Sequence, residues 1–269
     1  MLKTTAGNLT IFGNLHVWTA GAGSMTSNSP NNFDRPETMT TTTLHYIHDP
    51  LCGWCYGAAP LVKAARAVLA VRPHGGGMMT GAHRQAVTPQ LRAYIKQHDE
   101  RIAQLTGQPF GLGYIDGLLC DSGVVLDSEP PTAAILAAEE IAGRGLDMLA
   151  QLQIAHYVEG RRIAERATLI AVAATLDLDP AAFAEALDRQ LGEAVQGHIR
   201  ATRAFMAQVG AQGFPSFVLE SKGILQGIDI AGYLGRPQDF QDWLRSQANV
   251  LSSSTEAGSF ACDANGCAI

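Results

Sequence analysis

The chain has 269 residues, 46% hydrophobic and 16% charged, with a formal net charge of −6 at pH 7. That length supports a full core in one or two domains, and the composition is that of a globular protein. The acidic balance, without any Lys/Arg run, argues against a nucleic-acid footprint, and no uninterrupted apolar stretch approaches the ~20 residues of a membrane span.

Residues 1–40 are rich in Thr, Ser, Asn and Gly and carry only short apolar runs such as Leu9-Thr10-Ile11-Phe12. They read as a disordered leader. A secretory signal needs a continuous apolar stretch of about 7–15 residues, and none follows Lys3. The working chain is expected to start near Met25 or Met39, because ordered patterning begins around Thr42. The missing export signal points to the cytoplasm over the periplasm.

A short strand is expected over residues 42–48. A helix follows from Gly53 to Leu69, kinked at Pro60, which lacks a backbone N–H. Gly75-Gly76-Gly77-Met78-Met79 reads as a second short strand, its glycines letting another backbone come close. Thr88-Pro89 is a cap followed by proline at the first helical position. It opens a helix carrying Leu91, Ile95, Ile102 and Leu105. Residues 107–123 are loop-like. Further helices are expected after Ser128-Glu129-Pro130-Pro131 and over 146–158, 164–176, 180–191 and 193–208, with no convincing strand among them. Ser216-Phe217-Val218-Leu219 and Ile224-Leu225-Gln226 then form a hairpin across Ser221-Lys222-Gly223. Phe240, Trp243 and Leu244 mark a closing helix, and a polar tail follows.

The five cysteines divide as Cys52/Cys55, Cys262/Cys267 and a lone Cys120. That is too few for a disulfide scaffold, so short-spaced pairs suggest chemistry. Cys52-Gly53-Trp54-Cys55 stands where a strand ends and a helix begins. Unpaired N–H groups and the helix dipole favour thiolate there, and thiolate is the form that attacks disulfides or binds metal. Cys52 is the expected nucleophile, its sulfur facing solvent, and Cys55, one turn on, the resolving thiol. His48 is the nearby side chain that could tune it. Half of a zinc site is the competing reading, although zinc wants four ligands and the other close pair is far away in the tail. Pro215 is either a cis residue of the site or an ordinary trans proline at a strand start. Trp54 and Phe214 could form an apolar rim for substrate or simply pack, and for Tyr56 simple packing is the expected role. His45, His83 and His156 are scattered. The tail pair, around an Asn265-Gly266 turn, is either an isolated disulfide or an electron relay to Cys52/Cys55.

Three segments carry a resemblance to a known family: residues 49–56 (Asp49-Pro50-Leu51-Cys52-Gly53-Trp54-Cys55-Tyr56), Ser128-Glu129-Pro130-Pro131 with Ala134, and Gly213-Phe214-Pro215-Ser216-Phe217-Val218. They resemble the DsbA-like thiol oxidoreductases, and look most similar to the cytoplasmic branch described as FrnE-like or as protein-disulfide isomerases. The resemblance implies an α/β thioredoxin-like fold with a large all-helical, DsbA-like insertion. It divides the chain into a leader (1–40), a two-part thioredoxin-like domain (41–85 and 209–247), an insertion (86–208) and a flexible tail (248–269). It implies Cys52 and Cys55 as catalytic residues, and Trp54, Phe214 and a cis Pro215 as substrate-binding residues. Cys262 and Cys267 become an auxiliary redox pair. It implies no metal and no organic cofactor. The expected partners are disulfide-containing or unfolded proteins and a thioredoxin or glutathione reducing system. Phe214 departs from the smaller or hydroxyl-bearing residues often found before this proline.

Two other functions compete. Glutathione-dependent transferases or isomerases of the kappa and 2-hydroxychromene-2-carboxylate type resemble this fold, but typically place serine where Cys52 stands. A redox- or zinc-regulated holdase would use the helical block to bind apolar segments.

Overall fold

The computed structural model describes residues 42–256. The leader, the candidate starts Met25 and Met39, and the pair Cys262/Cys267 lie outside the described residues. Strand β1 (Thr43–His48) leads through Asp49-Pro50-Leu51 into α1 (Gly53–Gly57) and α2 (Ala59–Arg66), and β2 (Ala70–Gly75) follows. The two-residue strand β3 (Gln85–Ala86) precedes the long α3 (Pro89–Thr106). A π-helical turn at Gly113–Gly117 and a 3₁₀ turn at Leu118–Cys120 lead to β4 (Val125–Leu126). The helices α4 (Glu129–Ala142), α5 (Gly145–Tyr157), α6 (Arg166–Ala174), α7 (Pro180–Gln190) and α8 (Glu193–Val209) complete the inserted block. The chain returns through β5 (Ser216–Ser221) and β6 (Ile224–Ile228) to α9 (Pro237–Glu256).

The main sheet has the order β2-β1-β5-β6, with β1 parallel to β2 and antiparallel to β5. β1 is central and buried from Leu44 to His48. The second strand is Ala70–Gly75, not the expected Gly75–Met79. Pro73 obscures it in the sequence, since proline cannot donate to a ladder. The sheet accommodates Pro73 opposite Tyr46 because β2 is an edge strand. Gly76 and Gly77 form the loop that follows.

The helix expected over 53–69 is two helices broken at Ala58, with Pro60 in the first turn of the second. Pro60 lacks the N–H that would bond to the Tyr56 carbonyl. Gln108 Nε2, from the insertion, donates to that carbonyl at 3.0 Å instead. The loop-like 107–123 segment contains the π and 3₁₀ turns, and β4 pairs with β3 as a small separate sheet inside a block that the pattern shows as helical only. α9 runs on to Glu256, past residue 248 where the tail was expected, because neither Gly nor Pro interrupts 238–256.

Caps and small residues explain the insertion. Thr88 accepts from Leu91 N at 3.1 Å and Asp179 from Ala182 N at 2.8 Å, each followed by proline. α3 ends at Gly107 with φ 72°. α4 buries Ala133, Ala134, Ala137 and Ala138 completely, so neighbouring helices approach closely. Met148, Leu152, Phe183 and Leu187 pack in the same core, which is continuous with Leu44, Tyr46 and Phe217 of the sheet. The end of α5 meets the 111–114 segment backbone to backbone. Gly111 N donates to Tyr157 O at 2.9 Å. Gly160, at φ +71°, has no room for a Cβ against the Gly113 carbonyl. Gly160→Ala is therefore expected to cost more than about 1 kcal/mol, combining the positive-φ penalty with the clash. Urea denaturation measures it, and an unchanged midpoint would contradict the contact.

Candidate dithiol site

Cys52 is the N-cap of α1, with φ −90° and ψ 112°. Its amide donates to Asp49 O at 3.2 Å, and its carbonyl accepts from Cys55 N at 3.0 Å and Tyr56 N at 3.1 Å. Both cysteines are free thiols. Cys55 is completely buried, and burial pushes its pKa well up, with Cys52 beside it adding to the shift. Cys52 is only 5% exposed, where the sequence suggested a solvent-facing sulfur. Against it lies a segment 162 residues away in sequence: the Phe214–Pro215 peptide bond is cis, and Cys52 Sγ donates to Phe214 O at 3.5 Å. The structure thus brings Cys52, Cys55, Phe214 and Pro215 together. α1, at five residues, is much shorter than the expected helix. Little dipole accumulates over such a length, and the local N–H groups dominate.

Phe214 is held by two other segments. Its ring occupies the space that a Cβ on Gly76 would fill. The Arg203 guanidinium lies over the ring, 5.1 Å from its centre. Arg203 also donates to Gly76 O at 2.6 Å and to Gly77 O at 3.0 Å. Helix α8 of the insertion therefore pins both the glycine loop and the cis-proline segment. Trp54 is half-buried, with Arg101 of α3 5.9 Å from its ring centre. Tyr56 belongs to the core and not to a rim: it is 3% exposed and stacks on Tyr157 at 4.8 Å. Its hydroxyl donates to Pro109 O at 2.8 Å.

Asp49 is the residue that the sequence pattern undervalues. Its carboxyl is completely buried and accepts from Leu51 N at 2.9 Å, Met78 N at 2.5 Å and Ser128 Oγ at 2.8 Å. Burial raises its pKa, and these bonds oppose the rise. Ser128 stands at the start of α4 without capping it by its side chain. Its hydroxyl is used on Asp49 and on Met79 N, at 3.0 Å. The three-residue step from Asp49 to Cys52 was visible in the sequence, but its partners at 78 and 128 were not.

His48 does not tune Cys52 as a cation. It is 1% exposed and stacks on Tyr46 at 5.1 Å, and burial, then His198 and His74, lowers its pKa to about 3. It is neutral at pH 7. His45 bonds to His74 at 2.9 Å and to Glu220 at 2.8 Å, and His156 is buried with a pKa lowered to about 4. His83 lies in a 3₁₀ turn. Cys120 is exposed. Among the described residues, no group of three or more His, Cys, Asp or Glu is arranged to hold a metal ion.

Two outcomes follow from this geometry. Gly76→Ala displaces the Phe214 ring and with it the carbonyl over Cys52, so kcat/KM for disulfide reduction is expected to fall about tenfold or more. Combining it with Phe214→Leu restores part of the loss, and an unaffected single variant would refute the Gly76–Phe214 contact. The second concerns pH. The native pKa values of His48 (about 3) and His156 (about 4) lie below the unfolded value of about 6.5. The unfolded chain then binds more protons in between, and this contribution to stability is lost as pH falls from 6.5 toward 4. Asp49 and Asp99, with raised pKa values, act in the opposite sense. Urea midpoints at pH 7.5 and 5.5 should differ less in His48→Leu than in the parent, and an equal difference would count against a neutral buried imidazole.

Comparison with known proteins agrees with this architecture. Residues 43–232 match the model of the DSBA-like thioredoxin domain. The cytosolic disulfide reductase DsbM from Pseudomonas aeruginosa is similar at 55% identity and TM-score 0.74, covering 77% of this chain and 99% of that one. DsbM solved with GSH is similar at 54% identity and TM-score 0.72, with coverage of 77% and 99%. A proposed protein disulfide isomerase from Nitrosomonas europaea is similar at 27% identity and TM-score 0.63, with coverage of 81% and 100%. A search of curated proteins gives no match. No described helix is long and apolar enough to cross a membrane. The chain belongs to the DsbA-like thioredoxin family and is a dithiol–disulfide oxidoreductase.

Proposed function

We propose that this chain is a cytoplasmic disulfide reductase for protein substrates, with Cys52 as the attacking sulfur and Cys55 as the resolving one. The observation that carries this reading is the asymmetry of the pair. Cys52 lies under the Phe214 carbonyl at the cis-proline segment, and Cys55 is fully enclosed. The Cys52 thiolate attacks one sulfur of the substrate disulfide. A mixed disulfide forms, and the departing sulfur takes up a proton. Cys55 then loses its proton and attacks the Cys52 sulfur, releasing the second substrate thiol and leaving a Cys52–Cys55 disulfide. The backbone beside Pro215 offers an edge on which an extended substrate segment can pair, and Trp54 and Phe214 supply apolar contact.

Regeneration of the dithiol takes two electrons, and a glutathione system is the proposed source. A similar protein solved with GSH supports this. The cytoplasmic assignment follows the cytosolic description of the same relative. The auxiliary role of Cys262 and Cys267 is a separate proposal, tested by a double alanine variant.

Insulin reduction coupled to glutathione and glutathione reductase tests the main reading. Cys52→Ser is expected to reduce turnover at least a hundredfold. Cys55→Ser should accumulate a mixed disulfide at Cys52, visible by mass spectrometry. Full activity in Cys52→Ser would overturn the proposal.

A further inference from the structure

Helix α3 of the insertion lays a carboxyl on the cysteine motif. Asp99 is 7% exposed. A Cβ on Gly53 would lie 2.9 Å from Asp99 Oδ1 and 3.0 Å from Ile102 Cδ1, so the glycine is what lets α3 approach the backbone between Cys52 and Trp54. The other oxygen, Oδ2, accepts from the Tyr114 hydroxyl at 3.0 Å. Asp99 also borders a cavity of about 220 Å³ that Lys96, Glu100, Gln108 and Phe110 help to line. Tyr157 is buried nearby, and burial first, then Tyr114, Cys52, Asp99 and Cys55, pushes its pKa well up. A buried acid with one hydrogen bond is costly unless it serves a purpose.

We propose that Asp99 is a positioning residue for the dithiol, through which the insertion governs how readily Cys52 gives up its proton. The inference rests on Cys52 being the attacking thiol. The sign follows from charge. Ionised Asp99 sets a negative charge against Gly53, the residue bonded to Cys52, and opposes a second negative charge on that sulfur. Protonated Asp99 does not. Burial raises its pKa to about 7, and the Tyr114 hydrogen bond pulls it down. The changeover therefore falls near neutral pH. The other titratable groups around it are Lys96 and Glu100 on its own helix, Tyr114 from the π turn and Tyr157 with the neutral His156 from α5, and the dithiol also has the buried Asp49 beside it.

The test is the rate of iodoacetamide labelling of Cys52, read on its own peptide by mass spectrometry, from pH 5.5 to 9 in the reduced full chain. Asp99→Asn and the parent should label equally at pH 5.5, where the carboxyl is neutral. Above pH 7 they should diverge, with Asp99→Asn about two- to threefold faster near pH 7.5–8 and the gap narrowing again as both sulfurs ionise. Tyr114→Phe, which removes the bond favouring the carboxylate, should shift the parent's break to higher pH. A constant ratio of the two rates across the range, or a slower Asp99→Asn above pH 7, would overturn the proposal, as would a break unmoved by Tyr114→Phe. If Asp99→Asn does not fold, Tyr114→Phe alone decides. Failure of Cys52 to label in every protein would instead refute its role as the attacking sulfur.

Discussion

Three donors from separate parts of the chain meet the buried carboxyl of Asp49. Leu51 N comes from the approach to the cysteines, Met78 N from the glycine loop after β2, and Ser128 Oγ from the start of α4 in the insertion. A carboxyl taken out of water is costly, and removing one partner of such a buried group costs roughly 1–3 kcal/mol. The three segments are therefore held to one another through a single side chain. Cys52 follows three residues later, at the helix start that this arrangement fixes. Loss of any donor would loosen the place where the thiol stands.

The insertion is a working part of the site. Arg203 on α8 pins the glycine loop and covers Phe214, whose carbonyl lies against Cys52 Sγ. Gln108 satisfies the Tyr56 carbonyl that Pro60 leaves without a donor. Asp99 reaches Gly53 inside the motif. Arg203 and Gln108 join the helical block to the thioredoxin-like frame by hydrogen bonds to backbone carbonyls, and Asp99 packs against Gly53, where a Cβ would crowd it. A dithiol enclosed in this way is governed by its neighbours' backbone and charge more than by a helix dipole, since α1 has five residues.

Much of the frame was legible in the chain because its signals are local. Thr88-Pro89 and Asp179-Pro180 mark helix starts and cap them in the structure. The hairpin at 216–228 follows its turn residues. Pro73 hid the second strand, since its tolerance depends on β2 lying at an edge. The break at Ala58, where a single kinked helix was expected, comes from Pro60, and the Tyr56 carbonyl it leaves is met by Gln108 from a distant segment. His48 looked like a tuning group from its distance along the chain. Its burial makes it neutral.

The sequence by itself determined the chemistry. Cys52-Gly53-Trp54-Cys55 between a strand and a helix, with Pro215 far downstream, specifies a dithiol on an α/β frame, because strand and helix signals and cysteine spacing act over a few residues. Tertiary structure decided what surrounds the sulfur. Cys52 is covered and not exposed, Asp49 joins segments 29 and 79 residues away, and Asp99 lies on Gly53 across the domain. Burial, charge and hydrogen bonding act through space, and which distant residues share that space depends on how the whole core packs.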